Sequence, residues 1–303
     1  MSPVRVANAP LSYGAFEMTV GTSFPVPDPE QVLAAIAAAG YAGADLGPPG
    51  YLGEGDVLRG RLDEHRLGIV GGFVPVRFSE REHWADDFRG LSHTLDLFDA
   101  AGAAGALPVL CDAGGPERLA NPGRGGEDAG LRLDDARWRT LVEGVERTAE
   151  IARERGYEPV FHHHTSTYVE GVPEVDRFLA DTDLALLLDS GHIAVAGGDP
   201  LAALRDWGER IGAVHVKDVR LEVLAGVKAD RADTLTAWQR GLFCALGDGD
   251  VDLDGFCAAL DERGYDGWVV VEQDRVLEDH GAFASARDEQ VRNRDWLREH
   301  AGW

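Results

Sequence analysis

Short apolar runs alternate with longer amphipathic stretches along most of the chain. The short runs are almost continuously apolar, which is typical of parallel strands that are buried on both faces. They predict eight strands, at residues 4–8, 44–46, 69–74, 106–110, 159–162, 184–189, 213–216 and 268–272. The stretches between them predict helices at residues 29–39, 55–66, 84–104, 135–155, 173–181, 199–207, 252–263 and 282–300.

The stretch at residues 135–155 shows how the helix pattern is recognised. Trp138, Leu141 and Val145 recur at steps of three and four residues, so one face of a helix there would be apolar. Asp134 stands before the stretch as a candidate N-cap, and Gly156 follows it as a stop signal. The same kind of start and stop signals bounds several of the other predicted helices.

Eight strand–helix units in one chain of 303 residues predict an α/β fold, namely a single (β/α)8 TIM barrel formed by one domain over residues 1–303. An open doubly wound sheet is the alternative. It is disfavoured because no G-x-G-x-x-G motif follows the first predicted strand. No linker-like boundary interrupts the alternation of strands and helices.

Two connections are longer than a turn requires, at residues 112–133 and 218–248. Both follow a predicted strand and precede a helix, so both would lie on the face where TIM barrels carry their active sites. The first could equally be a lid or a surface insertion. The second contains Trp238 and Phe243 among other apolar residues, and we expect it to pack over the pocket and help exclude water.

The net charge of the chain excludes one class of partner. It carries 29 Lys and Arg against 53 Asp and Glu, a formal net charge of −24 at pH 7. Such a surface repels a nucleic-acid backbone, and the arginines form no basic stripe. We therefore expect no nucleic-acid partner.

The cysteine pattern and the lack of long apolar segments bear on location. Cys111, Cys244 and Cys257 form no C-x-x-C pair, which is typical of a protein in a reducing compartment. The N-terminus lacks the apolar core of a signal peptide, and no apolar run approaches the about 20 residues that span a bilayer. We expect a cytoplasmic protein with no membrane partner.

Residues that can bind metals or transfer protons are concentrated where the predicted strands end. Three consecutive histidines end the fifth strand. Because residues two apart in a strand share a face, His162 and His164 should point together and His163 away from them. Three histidines in a row at the catalytic end of a barrel strand favour a functional role.

The next three strands end in the same way. Asp189 and Glu272 each follow an apolar run, where a carboxylate is costly unless it is paired or binds a cation. An N-cap role for Asp189 is the alternative, but residues 193–198 intervene before the next helix signal. On the seventh strand His215 and Lys217 share a face, so Lys217 could reach the same site. The alternative is that Lys217 lies at the surface and forms an ion pair with Asp218.

Four consecutive predicted strands therefore end in residues that commonly bind metals: His162, Asp189, His215 and Glu272. Closing the barrel would bring these side chains together at its C-terminal mouth. Two imidazoles and two carboxylates suit a divalent transition metal, whereas calcium and magnesium prefer more oxygen ligands. We expect manganese or cobalt, with zinc or iron as alternatives.

The same segments resemble the xylose-isomerase-like, or sugar phosphate isomerase/epimerase, barrel superfamily. The resemblance is carried by His162-x-His164, by LDSGH ending at His192, by HVKD from His215, by GDGDVD at residues 247–252 and by WVVVEQ at residues 268–273. Within the superfamily the chain is most similar to the inosose dehydratases, through DLGPPGYL at residues 45–52, AGGDP at 196–200 and GLF at 241–243. Most superfamily members carry a metal-binding Glu at the position of His162, and the dehydratases tend to carry His.

This resemblance implies a metal-dependent enzyme acting on a polyol or keto-sugar, and it is compatible with a homo-oligomer. The reaction would be dehydration of a cyclic 2-keto-polyol through an enediolate, with isomerisation or epimerisation of a keto-sugar as the alternative. A non-catalytic polyol-binding barrel is a third reading, disfavoured because such a barrel needs no converging ligands. Candidate catalytic residues are His164, His192 and Lys217, and candidate substrate-binding residues are Tyr13, Glu17 and Trp238. A substrate phosphate is disfavoured, since no glycine-rich loop with Lys or Arg follows the last two strands.

Overall fold

Eight parallel strands close into a barrel, and the chain passes through them in sequence. The computed structural model describes residues 4–303. Its strands are β1 (Arg5–Asn8), β2 (Gly43–Asp45), β3 (Gly68–Val76), β4 (Leu107–Asp112), β5 (Val160–His162), β6 (Ala185–Asp189), β7 (Ile211–Val216), β8 (Asp218–Val219), β9 (Phe243–Cys244) and β10 (Trp268–Val271). The barrel consists of β1 to β7 and β10, and β1 pairs with both β10 and β2 to close the ring. The predicted (β/α)8 barrel is therefore confirmed.

Helices surround this barrel. They are α1 (Pro29–Ala39), α2 (Gly55–His65), α3 (Trp84–Ala101), α4 (Pro116–Leu119), α5 (Asp135–Glu154), α6 (Val172–Asp181), α7 (Ser190–Val195), α8 (Pro200–Trp207), α9 (Leu221–Asp230), α10 (Thr234–Gln239), α11 (Leu253–Glu262) and α12 (Ala282–His300). Short 3-10 turns occupy Pro10–Tyr13, Arg81–His83, Ala129–Leu131 and Gly208–Arg210. Within residues 4–303, no helix combines the length and the apolar character that crossing a membrane requires.

The predicted helix signals operate as expected in α5. The Asp134 carboxylate accepts hydrogen bonds from the backbone N–H groups of Ala136 and Arg137 and so caps the helix. Trp138 and Leu141 are buried on its inner face. All eight predicted helices are present, whereas α4, α7, α9 and α10 lie in connections where the sequence pattern predicts no helix.

Strand alternation builds two layers of core. On β5 the Phe161 ring points outward and stacks on Phe178 of α6, with ring centroids 3.9 Å apart. Val160 and His162 point into the barrel. Val160 packs there with residues of three neighbouring strands: Val109, Leu187 and Ala213. This apolar layer lies one step below the strand-end histidines and carboxylates, and it closes the floor beneath them.

The long connection at residues 218–248 packs closely on the barrel mouth. It contains α9, α10 and the antiparallel pair formed by β8 and β9. Val219, Val227 and Trp238 form an apolar cluster there with Phe16 from the β1 connection. The predicted packing of this segment is confirmed.

The connection at residues 112–133 is anchored by one buried arginine. Arg118 of α4 is fully buried, and its guanidinium pairs with Glu174 at 2.9 Å and lies 3.5 Å from Glu170. It also donates a hydrogen bond to the backbone oxygen of Thr167. Glu170 in turn accepts hydrogen bonds from the backbone N–H groups of Gly123 and Gly125. This network holds the glycine-rich connection against the barrel.

Candidate active site

A cavity opens at the C-terminal mouth of the barrel. Its wall combines apolar side chains with carboxylates and imidazoles, among them Phe16, Glu17, Asp45, Phe73, Asp112, His162, His164, His215, Trp238, Glu272 and Asp274. These residues come from strand ends and from the connections that follow them. Within the described residues, no lysine or arginine side chain lines the cavity.

Four of the strand-end side chains converge at this cavity: three of them line it, and the fully buried Asp189 lies behind them. The possible ligand atoms of His162, Asp189, His215 and Glu272 all lie within 4.8 Å of one another. The strand register explains the convergence, because Asp189 pairs with His215 across β6 and β7 and Glu272 directly follows the end of β10. All four side chains are buried.

Several atoms in this cluster have no hydrogen-bond partner among the described residues. They are His162 Nδ1, Asp189 Oδ2 and His215 Nδ1. His215 Nδ1 lies 3.0 Å from Glu272 Oε2 and 3.6 Å from Asp189 Oδ2, without the alignment of a hydrogen bond. Buried polar atoms are normally satisfied. A set of two imidazoles and two carboxylates with free lone pairs therefore fits a divalent transition metal ion.

The two carboxylate oxygens of Asp189 have different surroundings. Its Oδ1 accepts hydrogen bonds from the backbone N–H groups of Gly191 and His192, each at 2.8 Å, and so caps α7. The expectation that Asp189 is not an N-cap is wrong, because a helix of six residues begins directly after it. Oδ2 accepts no hydrogen bond among the described residues and lies 3.6 Å from His215 Nδ1 in the cluster.

The cluster is strongly coupled electrostatically. Burial disfavours the ionised form of Glu272, but His215 and Lys217 outweigh it and lower its pKa to about 2. Burial likewise disfavours protonated His215, but Glu272 and Asp189 raise its pKa to about 9. Without a metal ion, the carboxylates thus stay ionised and are balanced by the two neighbouring cations.

Lys217 is the central cation of this site. Its ammonium is fully buried and contacts four groups: His192 Nε2 at 2.9 Å, Asp274 Oδ2 at 3.0 Å, Glu272 Oε2 at 3.1 Å and Asp189 Oδ2 at 3.4 Å. The alternative pairing with Asp218 is wrong. Asp218 instead accepts backbone N–H groups of the turn at residues 247–251.

The rings of His164 and His192 pack against each other at a tilt of 41° beside the cluster, with centroids 3.8 Å apart. His164 lines the cavity, and its Nδ1 lies 2.8 Å from the Thr165 carbonyl oxygen. A carbonyl only accepts, so Nδ1 carries the proton and Nε2 keeps its lone pair. Burial, followed by the charge of Lys217, lowers the pKa of His164 to about 4. His164 is therefore a neutral imidazole at pH 7.

His162, His164 and His192 also form a triad of the metal-binding type. Both nitrogens of His192 are already engaged, one by the Lys217 ammonium and one by Thr165 Oγ1 at 2.9 Å. We therefore assign the candidate metal to the cluster with free lone pairs. His163 points away, as the alternation predicts, and its Nε2 accepts the backbone N–H of Asp189 at 3.2 Å.

The comparison with known proteins identifies the family. Residues 33–300 match the model of the xylose isomerase-like TIM barrel family. The chain belongs to this family. It is 32% identical over 286 residues to an inosose dehydratase of Geobacillus kaustophilus, covering 91% of this chain and 89% of that protein. It is 35% identical over 282 residues to an inosose dehydratase of Erwinia tasmaniensis, covering 90% of each.

The fold of this xylose isomerase-like barrel also matches solved structures. One is the structure of the IOLI protein with a binding zinc atom, with a TM-score of 0.68 at 14% identity. The match covers 99% of this chain and 98% of that one. At this level of identity the likeness concerns the fold alone.

Two of the three candidate substrate-binding residues line the cavity, and the third does not. Glu17 and Trp238 line the cavity, and Glu17 is exposed at its open end. Trp238 packs edge-on against Phe16, and its indole Nε1 is buried without a partner among the described residues. Tyr13 does not line the cavity, contrary to expectation. The 3-10 turn after β1 buries its ring beside Phe283 of α12.

Phe243 lies beneath the cavity wall. Its ring packs against His192, with centroids 5.2 Å apart, and the Lys217 ammonium lies 4.9 Å from its centre. It therefore shields the buried lysine from solvent, and Trp238 is the aromatic residue of the connection that reaches the cavity.

Three buried carboxyl groups of the cavity were not singled out as site residues from the sequence: Asp45, Asp112 and Asp274. A signal for each is visible afterwards. Asp45 ends the second apolar strand as Glu272 ends the last, and Asp112 ends β4. Asp274 follows Glu272 by two residues, and its carboxylate reaches Lys217.

Proposed function

We propose that this protein is a metal-dependent hydro-lyase that removes water from a cyclic 2-keto-polyol, inosose (2-keto-myo-inositol), to give a dione. The observation that carries this proposal is the convergence of His162, Asp189, His215 and Glu272 beside a cavity whose wall, within residues 4–303, contains no lysine or arginine. An acidic wall suits an uncharged polyol, whose hydroxyl groups donate hydrogen bonds to carboxylates. The two relatives named inosose dehydratase support the same substrate.

The four converging residues would hold the cofactor. A divalent ion bound there supplies Lewis-acid polarisation of a carbonyl group. Manganese or cobalt fits the mixed imidazole and carboxylate set, as zinc or iron would. The zinc atom of the structurally similar IOLI protein supports the assignment of a metal.

His164 is the candidate base for the first proton transfer. Its Nδ1–H is fixed by the Thr165 carbonyl, so the free Nε2 of a neutral ring faces the cavity. The hydrogen on the carbon beside the substrate carbonyl is acidic, and Nε2 can accept that proton. The electron pair of the broken C–H bond then forms the enediolate.

His192 and Lys217 act in this proposal through position and charge. All the polar contacts of Lys217 are made within the protein, and it does not line the cavity. Its positive charge beside Glu272 and Asp189 favours negative charge in the reacting substrate. His192 accepts a hydrogen bond from Lys217 and its ring packs against that of His164, so it fixes both residues.

The direct test supplies metal-reconstituted protein with 2-keto-myo-inositol and follows the ultraviolet absorbance of the dione. A parallel screen offers keto-hexoses. Formation of the dione supports the proposal. Conversion of a keto-hexose without any product from the keto-inositol would instead establish the isomerase or epimerase alternative.

We also propose that the protein acts in the cytoplasm and associates with itself. Cys111, Cys244 and Cys257 are all free and buried, which suits a reducing compartment. Cell fractionation and sedimentation equilibrium test the two statements separately. Recovery in a secreted fraction would contradict the first, and a purely monomeric mass would contradict the second.

A further inference from the structure

Dehydration requires a second proton transfer, because a hydroxyl group leaves readily only as water. We propose that Asp45 donates this proton to the departing hydroxyl oxygen. This inference rests on the proposed dehydratase function. It concerns a residue at the end of β2 that is not one of the four candidate metal ligands.

The position of Asp45 suits a partner to His164. The strand order around the barrel places β2 directly across the mouth from β6, and β5 lies next to β6. Asp45 lines the cavity from this far wall, while His164 lines it from the β5 side. A substrate between them therefore meets a proton acceptor on one side and a carboxyl group on the other.

The two oxygens of Asp45 have different surroundings. Oδ1 accepts a hydrogen bond from the backbone N–H of Gly47 at 2.8 Å, which fixes the carboxyl group. Oδ2 has no hydrogen-bond partner among residues 4–303. The residue is only 6% exposed, so most of it is shielded from bulk water, and its free oxygen can contact a substrate bound in the cavity.

The charges around Asp45 favour its protonated form. No cation lies within ion-pair distance of it among the described residues. Burial and the nearby carboxylates of Glu272 and Glu17 outweigh the Gly47 N–H and His215, and they raise the pKa of Asp45 to about 7. A carboxyl group that titrates near neutrality is well matched to proton donation at cellular pH.

The other candidate donors are less suitable. The N–H groups of Lys217 already contact His192 and buried carboxylates inside the protein. Asp112 directs Oδ2 at two backbone N–H groups, those of Gly114 and Tyr168, and its Oδ1 is closed off from solvent. Glu17 is exposed at the open end. Asp45 is preferred over Asp112 because its unpartnered oxygen is accessible from the cavity, whereas the unpartnered Oδ1 of Asp112 is not.

The proposed step is balanced and involves no redox change. His164 takes the proton from the carbon beside the carbonyl, and the enediolate forms. Asp45 Oδ2 then gives its proton to the hydroxyl on the next carbon. The C–O bond breaks and water leaves as the carbonyl re-forms. A C=C bond remains on the carbon that lost its proton, and because that carbon bears a hydroxyl group, this enol tautomerises to the dione. His164 and Asp45 afterwards exchange with solvent through the open cavity and return to their starting states.

The test separates the two proton transfers in Asp45→Asn. Asparagine keeps an oxygen that can accept the Gly47 N–H, and a thermal melt checks that the fold is intact. In D₂O, deuterium incorporation beside the carbonyl reports the base, and dione formation reports the complete elimination. We expect dione formation to fall by about 10²–10⁴-fold while deuterium incorporation continues. An analogue with fluoride in place of the departing hydroxyl should restore elimination in the variant, because fluoride needs less proton assistance.

Asp112→Asn is the matched control, since it removes another buried carboxyl of the same cavity. The ratio of elimination to exchange should stay at the wild-type value in this variant. The inference is overturned if Asp45→Asn forms dione at the wild-type rate, if it loses exchange and elimination equally, or if Asp112→Asn lowers the ratio as much. If the wild-type protein itself shows neither exchange nor dione, the proposed function fails and the role of Asp45 falls with it.

Discussion

Replacement of Lys217 by methionine should strongly destabilise the metal-free protein. The ammonium is fully buried and neutralises a group of carboxylates, with Asp274, Glu272 and Asp189 at 3.0, 3.1 and 3.4 Å. Methionine has a similar length but no charge. The variant would leave these buried carboxylates with His215 as the nearest cation.

The size of the effect follows from the burial of the group. Removing one partner of a buried ion pair costs about 3–5 kcal/mol, because the remaining charge is uncompensated. The unfolding entropy is about 2.1 cal/mol/K per residue. For a chain of 303 residues, the loss corresponds to a fall in Tm of roughly 5–8 °C.

The effect should depend on pH in a defined direction. The fold lowers the pKa of Glu272 to about 2, below its ordinary value. Its ionised form therefore stabilises the wild-type protein above the ordinary carboxyl range, and this contribution is lost as the pH falls toward 2. In the Lys217→Met variant the carboxyl groups protonate more readily. The difference in stability should thus be largest near pH 7 and narrow as the pH falls from the ordinary carboxyl range toward 2.

The assay is thermal and urea unfolding of both proteins in the presence of a chelator. Lys228→Met is the matched control, since Lys228 is the other lysine of the chain and pairs with Glu127 at the surface. An exposed pair of this kind contributes about 0–1 kcal/mol. Equal stability of the Lys217 variant and the wild type at pH 7 would refute the account of the buried charges.

Three further predictions follow from the site and its walls. Asp189→Asn and Glu272→Gln should each contain less bound metal than the wild type by elemental analysis. Asp189→Asn should still fold, because its amide oxygen can cap α7. Full metal content in both variants would count against the site. Trp238→Ala should lower kcat/KM and speed hydrogen exchange in residues 218–248, and unchanged values of both would indicate that this side chain does not shield the cavity. Arg118→Met should destabilise the protein by about 3–5 kcal/mol and admit protease at residues 113–133, because Glu170 would lose its buried cation, and a protected segment would contradict this role.

The barrel was predictable because most of its strands are nearly continuous apolar runs. The strand that ends at Asp189 is an example: four apolar residues precede the acid, and β6 occupies Ala185–Asp189. The side-chain alternation also follows from the strand period of two, so the opposite directions of His162 and His163 could be predicted.

The short helices were not predictable from the same pattern. α7 has six residues, which is less than two turns, so no apolar period can be recognised in it. Its start is determined by the hydrogen bonds of Asp189, and these become visible only when the strand end and the helix are in place. For this reason the sequence did not reveal that Asp189 caps a helix.

The cavity wall was only partly predictable because it depends on the path of the chain after each strand. The 3-10 turn at Pro10–Tyr13 carries Tyr13 into the core beside Phe283, whereas Glu17 reaches the cavity. Asp45 ends a strand of three residues, which is too short to give a clear apolar run. Its importance comes from facing β6 across the closed barrel, which no local pattern shows.

The central claim is that four strand-end ligands make this barrel a metal-dependent dehydratase. The most direct measurement is the rate of dione formation from 2-keto-myo-inositol before chelation, after removal of the metal, and after addition of manganese or cobalt. We expect activity to disappear on metal removal and to return in the wild type on addition of the ion, but not in Glu272→Gln. Full turnover by metal-free protein, or full recovery of the Glu272→Gln variant, would contradict the account.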